Sequence, residues 1–188
     1  MRISANDIKL NDKLDYQGGL WVVIKNPEHV KPGKGPAYIQ VEMKNLFTGS
    51  KLNHRFGSTD PVEKASLEQK EMQYLYSEEQ NLVFMDQQSF EQLYVSEDLA
   101  GDKLPLLTDG MEVTIEFYQD KPIGMKFPTN VTVEIEQTDP IIKGATASAS
   151  YKPAILTNGI RVMVPPYLVT GEKIVIKTED FTFVERAK

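Results

Sequence analysis

Ala37-Tyr38-Ile39-Gln40-Val41-Glu42-Met43 sets an apolar residue at every second position. That period of two predicts a β-strand with one face turned to a core. Upstream, Leu20-Trp21-Val22-Val23-Ile24 follows a Gly18-Gly19 turn and reads as a second strand. Between the two lies Pro27-Glu28-His29-Val30-Lys31-Pro32-Gly33-Lys34-Gly35-Pro36, whose prolines and glycines predict a loop. Downstream, Asn45-Leu46-Phe47-Thr48-Gly49-Ser50-Lys51 reads as a strand end and turn. The opening piece is a small barrel, and Ser58-Thr59-Asp60-Pro61 breaks its pattern.

The same period runs through the rest of the chain. Tyr74-Leu75-Tyr76 and Leu82-Val83-Phe84-Met85 predict a hairpin around a loop at 77–81, longer than two residues. Phe90-Glu91-Gln92-Leu93-Tyr94 is expected to start with a short helix. Met111-Glu112-Val113-Thr114-Ile115-Glu116-Phe117-Tyr118 alternates strongly, and Lys121-Pro122-Ile123-Gly124 is expected to turn the chain. Val131 to Glu136, Arg161 to Val164 and Lys173 to Thr178 are further strands, and Phe181 to Arg186 closes the sequence. Lys143 to Ala154 is rich in small residues and predicts a surface loop. The fold class is all-β: three small barrels, at 1–64, 65–128 and 129–188. Cores of about 60 residues are marginal alone, so contacts between barrels should matter.

Composition narrows the function. The chain has 188 residues, 40% of them hydrophobic, which predicts a folded protein. It has no cysteine, which excludes a disulfide scaffold, a cysteine nucleophile and a thiolate metal site. No apolar run matches a signal peptide or a spanning helix, so a cytoplasmic protein without membrane contact is expected. Net charge is -6 and mean hydropathy -0.36. The charge is uneven: residues 1–65 carry net +3, 66–130 net -9 and 131–188 net zero. A mildly basic first segment could face phosphate; the acidic middle fits a cationic partner or solvent.

Lys34 is the sharpest feature. Gly33 and Gly35 permit positive φ and leave no bulk beside it, and Pro32 and Pro36 restrict the flanking backbone. A cation at a projecting tip gives access to a modifying enzyme or a narrow cavity. A solvated turn that merely contains a lysine fits the four residues as well. Lys31 and His29 lie close enough in sequence to touch phosphate. The lysine is not that of a nucleotide-binding loop: no Ser or Thr follows it, and a strand rather than a helix comes next.

His29 and His54 lack the further ligands a metal site needs, so no metal is expected. Asp86, Glu91, Glu97 and Asp98 could pair for acid–base work, but a solvated or interface face suits them better. Trp21, Phe84 and Phe117 are expected in cores; Tyr151 and Tyr167 flank loops and are contact candidates. Arg55, Lys152, Arg161 and Arg186 could meet an RNA backbone.

Ser4-Ala5-Asn6-Asp7-Ile8, Glu28 to Ala37, Lys44-Asn45-Leu46-Phe47-Thr48-Gly49, Lys70 to Tyr76, Val83-Phe84-Met85-Asp86, Thr138-Asp139-Pro140, Lys143 to Ala147, Lys152-Pro153-Ala154 and Val184-Glu185-Arg186 follow one another in an order and spacing that resembles the bacterial elongation factor P family, relatives of the hypusine-containing translation factor. The resemblance covers essentially the full chain. It implies an SH3-like barrel followed by two OB barrels in an L-shaped, tRNA-like body. It implies a monomer that binds the 70S ribosome, ribosomal RNA and peptidyl-tRNA between the peptidyl and exit sites and stimulates peptide-bond formation at consecutive prolines. It implies no catalytic residue and no cofactor, so an enzyme is not expected. The matching tip residue is Lys34, supported by His29, Lys31, Pro32, Gly33 and Gly35. In the family a lysine-modifying enzyme commonly extends it, for instance with a β-lysyl group.

Two positions depart from the family pattern. Most members carry Gly-Asp-Thr in the third-domain loop, where this chain has Gly144-Ala145-Thr146. Phe183 stands where tyrosine is common, while Arg186 keeps the terminal cation. Two other readings fit parts of the sequence: a general RNA-binding module with no effect on peptide-bond formation, and a structural protein without RNA contacts. The single accessible lysine distinguishes them, because neither needs one.

Overall fold

The structure is a computed structural model, and it describes residues 1–141, 144 and 150–188. Among these residues the chain is all-β, with short 3-10 turns and three sheets, each wrapped around its own apolar cluster. No helix among them is long and apolar enough to cross a membrane.

The first sheet has seven strands: β1 (Arg2–Ser4), β2 (Lys13–Tyr16), β3 (Gly19–Val23), β4 (Glu28–Val30), β5 (Tyr38–Asn45), β6 (Lys51–Gly57) and β7 (Pro61–Lys64). Their order is β1-β7-β2-β3-β5-β4, with β6 also on β5. The alternation of Ile39, Val41 and Met43 puts all three in the core with Leu14, Val23 and Phe56. Each such aliphatic side chain, fully buried, contributes about 1.5–3 kcal/mol. Strand β5 is long enough to pair with β4 at Tyr38 to Gln40 and with β3 at Met43 to Asn45. β6 runs along it from Gly57 to Lys51. Asn45 caps the turn between β5 and β6, its Oδ1 accepting from the backbone N–H groups of Phe47 and Thr48 at 2.9 Å each.

The second sheet runs β10-β9-β8-β11-β12, from β8 (Glu68–Glu78), β9 (Asn81–Asp86), β10 (Gln92–Ser96), β11 (Glu112–Tyr118) and β12 (Lys121–Lys126). The third runs β15-β14-β13-β16-β17, from β13 (Asn130–Thr138), β14 (Lys152–Leu156), β15 (Arg161–Val164), β16 (Lys173–Lys177) and β17 (Phe183–Arg186). Phe127 packs against the cores of both sheets.

By packing, the chain divides into two compact units. One is Met1–Glu68 with Tyr118–Ile123; the other is Gln69–Phe117 with Gly124–Lys188. In the first unit the Tyr118 hydroxyl donates to Asp15 Oδ2 at 3.1 Å, and Lys121 lies over the Phe47 ring. Burial and the Asp15 carboxylate push the Tyr118 phenol above its ordinary value.

Four local expectations are corrected. Glu28–Val30 is a strand on the edge of β5, not loop. The hairpin of β8 and β9 turns on only two residues, Glu79 and Gln80, because Glu78 pairs with Asn81. Phe90 opens no helix: it sits at φ 60° in the turn before β10, and Gln92 to Ser96 pair along β9. The chain turns at Gln119 and Asp120, both in the left-handed region, so Lys121 to Gly124 is strand. Gly124 lies within that strand, where a Cβ would come 3.5 Å from the buried Glu116 carboxylate.

Candidate functional site

Strands β4 and β5 form the stalk that carries Lys34. Their last pair is Val30 with Tyr38, so residues 31–37 project beyond the ladder. Lys31, Pro32, Gly33, Lys34, Gly35 and Pro36 are all exposed. Gly35 has φ 105°, a backbone setting that side-chain-bearing residues rarely adopt. Gly33 lies outside that region, and a Cβ there would meet nothing within 4 Å. Both glycines permit positive φ, and Gly35 alone adopts it. At Gly33 the missing side chain leaves clearance beside the lysine.

The Lys34 ammonium has no hydrogen-bond or ion-pair partner among the described residues. Other cations of the same unit are neutralised: Lys25 by Glu42 at 2.6 Å and Lys64 by Asp12 at 2.8 Å. The hydrogen bond and charge of Glu42 raise the Lys25 ammonium above its ordinary value. Lys31 is equally unpaired, and His29 is exposed on β4 opposite Ile39. The tip thus presents cations that pair with no carboxylate among the described residues.

Arg55 comes to the base of this stalk. Its partner across the sheet is Gln40, and its guanidinium lies over the Tyr38 ring at 5.0 Å from the centroid. Tyr38 is the first strand residue after the tip, so the stack adds a cation to an aromatic ledge beneath it. Tyr38 was not singled out from sequence; only the register of β5 against β6 brings it to Arg55. His54 is half-buried, its Nε2 within 3.1 Å of the Tyr16 hydroxyl and its ring edge-on to Phe56.

The remaining candidates belong to the third sheet, in the second unit. The Lys152 ammonium donates to the Asp139 carbonyl. Arg186 pairs with Glu172 at 2.9 Å and lies over the Tyr167 ring at 5.4 Å. Its charge is already shared within the sheet. Gly144 is exposed with φ 90°, while Ala145, Thr146 and Lys143 lie outside the described residues. Arg161, Tyr151 and Tyr167 are all exposed.

Of the acidic candidates, Asp86 has structural partners. Asp86 accepts from the backbone N–H groups of Gln88 at 2.7 Å and Ser89 at 3.1 Å. Those two bonds hold its carboxyl below the usual range. Among the described residues no three His, Asp or Glu side chains are grouped to hold a metal ion.

Comparison with known proteins adds a separate line of support. Three family models match in series: one described as "Elongation factor P (EF-P) KOW-like domain" on residues 4–62, "Elongation factor P (EF-P) OB domain" on 67–125 and "Elongation factor P, C-terminal" on 131–186. The chain is 58% identical over 188 residues to "Elongation factor P" of Rickettsia bellii (strain OSU 85-389), with 100% of each chain covered. It is 59% identical, with the same coverage, to "Elongation factor P" of Rickettsia rickettsii (strain Sheila Smith). Among solved structures it is similar in fold to "Eukaryotic translation initiation factor 5A from Methanococcus jannaschii", with a TM-score of 0.55 and 20% identity over 68% of this chain and 92% of that one. Full-length identity at this level and three consecutive family matches give the conclusion that the chain belongs to the elongation factor P family of translation factors.

Proposed function

We propose that this translation factor binds the 70S ribosome between the peptidyl and exit sites and brings Lys34 to the CCA end of peptidyl-tRNA. There it stimulates peptide-bond formation at consecutive prolines. The observation that carries this reading is Lys34 itself: an exposed cation with no partner among the described residues, at the end of a two-stranded stalk. Such a side chain orders a substrate and leaves proton transfer to others. Holding a flexible end in a reactive geometry lowers the entropic part of the barrier. Proline, whose ring fixes the backbone, profits most from that help.

The neighbours suit the same task. Lys31 and Arg55 supply charge for phosphates along the stalk, and His29 adds a donor. Gly33 and Gly35 leave Lys34 open to a lysine-modifying enzyme, and an added β-lysyl group would extend its reach. Lys152, Arg186 and the loop holding Gly144, Ala145 and Thr146 are secondary RNA contacts in this reading. The protein works as a cytoplasmic monomer of three domains, 1–64, 65–128 and 129–188.

The test is translation of a Pro-Pro-Pro message with Lys34→Ala, alongside the intact mass of the protein from its own host. Loss of stimulation with a folded variant supports the role; unchanged stimulation removes it. An added mass on the peptide bearing Lys34 identifies the extension.

A further inference from the structure

We infer that the outer face of β8, β9 and β10 is a docking surface for an arginine-rich protein segment, gripped by Tyr76 and Tyr94. Leu82 and Phe84 point into the core of the second sheet, so Val83 between them points to the opposite face. Tyr76 and Tyr94 flank it in register, one on each neighbouring strand. Val83 is fully buried while the tyrosines stay 44% and 55% exposed. The Tyr94 hydroxyl is near enough to raise the Tyr76 hydroxyl above its ordinary value, so the two phenols face each other across the valine. On either side of this row lie Glu78, Asn81 and Ser96, and Gln73, Met85 and Gln92. The face is an aromatic ledge rimmed by amides and a carboxylate.

Charge selects the occupant. Residues 71–102 contain no lysine, arginine or histidine and carry eight carboxylates. A phosphate backbone would meet only like charge there. Elsewhere the chain caps exposed rings with its own cations: Arg55 over Tyr38, Lys121 over Phe47, Arg186 over Tyr167. Among the described residues no cation lies over Tyr76 or Tyr94. A guanidinium from outside completes the same pairing, stacking on a phenol ring while it reaches Glu78. Arginine suits the site better than lysine because its plane matches the rings.

This face does not include Lys34, so its binding can fail while the role of the tip stands. The experiment titrates the isotope-labelled full chain with an octa-arginine peptide and follows backbone amide shifts. Octa-lysine and a single-stranded octauridylate are run beside it. Expected are saturable shifts centred on Gln73 to Ser96, weaker binding of octa-lysine and none of these shifts with the RNA. Tyr76→Leu with Tyr94→Leu keeps Val83 covered but removes both ring faces, and should weaken octa-arginine binding about fivefold or more. Glu78→Gln provides a second variant that leaves the rings untouched, and it should weaken binding too. Shifts spread evenly over all acidic surfaces, binding unchanged in both variants, or RNA binding on this face would each overturn the inference.

Discussion

The tip at residues 31–37 and the turn at Gln119 and Asp120 both belong to the first unit, and both use left-handed backbone. The tip uses a glycine, Gly35, and has no side-chain fastening among the described residues. The turn places two residues with side chains in that region, at φ 48° and 64°. Each such residue costs about 1–2 kcal/mol, less for aspartate. The turn offsets this through contacts: Tyr118 donates to Asp15, packs on Phe47 at 6.3 Å between centroids, and accepts from Gln119 Nε2. One segment is fastened by packing and tolerates strain; the other is bare and needs a residue without strain. A turn that must be held and a side chain that must be offered lead to opposite solutions of the same backbone problem.

The largest effect that could break this comparison comes from Lys34→Ala. It should remove stimulation on a Pro-Pro-Pro message while stability stays within about 0.5 kcal/mol, as expected of a bare surface position. A large loss of stability in urea would mean that the tip is fastened after all. Next come the paired glycines. Gly35→Ala should cost about 1–2 kcal/mol of local strain and reduce stimulation, whereas Gly33→Ala should leave both near the parent. Equal effects in the same two assays would refute the division of labour between them.

Tyr118→Phe sharpens the other half. Loss of the bond to Asp15 should destabilise the protein by about 0.5–1.5 kcal/mol, read from urea unfolding at pH 7. The pH dependence carries a sign. The folded phenol is held above its ordinary value of 10.0, so its contribution is full below that pH. It is lost as pH rises through the raised folded value. The variant should lack this alkaline loss; an identical fall in both proteins would detach Tyr118 from the fastening. The smallest effect is expected of Arg186→Ala. Its exposed pair with Glu172 contributes at most about 1 kcal/mol, so stability should barely move. Ribosome binding at fixed salt should weaken, and no change would remove Arg186 from the contact surface.

Strands with clean alternation were legible from sequence: Tyr38 to Met43, Glu112 to Tyr118 and Val131 to Glu136 all lie within strands. What escaped was chain reversal without glycine. Phe90, Gln119 and Asp120 take positive φ where no turn is expected, whereas the reversal at Glu79 falls inside the expected loop at 77–81. Pro122 and Gly124, which do announce a turn, are spent inside β12, Gly124 because the Glu116 side chain lies over it. Tertiary contacts decided these positions, and local propensity does not record them. Glu28–Val30 was missed for a related reason: three residues show no period, and only the edge of β5 makes them a strand. The same division runs through the site. Lys34 stood out because its neighbours are local signals. The stack of Arg55 on Tyr38 and the pairing of Tyr76 with Tyr94 depend on register, which a single sequence does not supply.

The open tip also has a consequence for proteolysis. A trypsin-like protease needs a cationic residue on backbone free to straighten through its cleft, and exposed loop tips meet that need. Lys31 is followed by Pro32, which blocks cleavage, while Lys34 is followed by Gly35, which does not. The bond after Lys34 is thus the tip's one ready scissile bond, and the β4–β5 ladder stays paired on both sides of a nick there. A bulky group on the lysine would shield that bond, so brief digestion of the folded protein reads whether the side chain is already occupied.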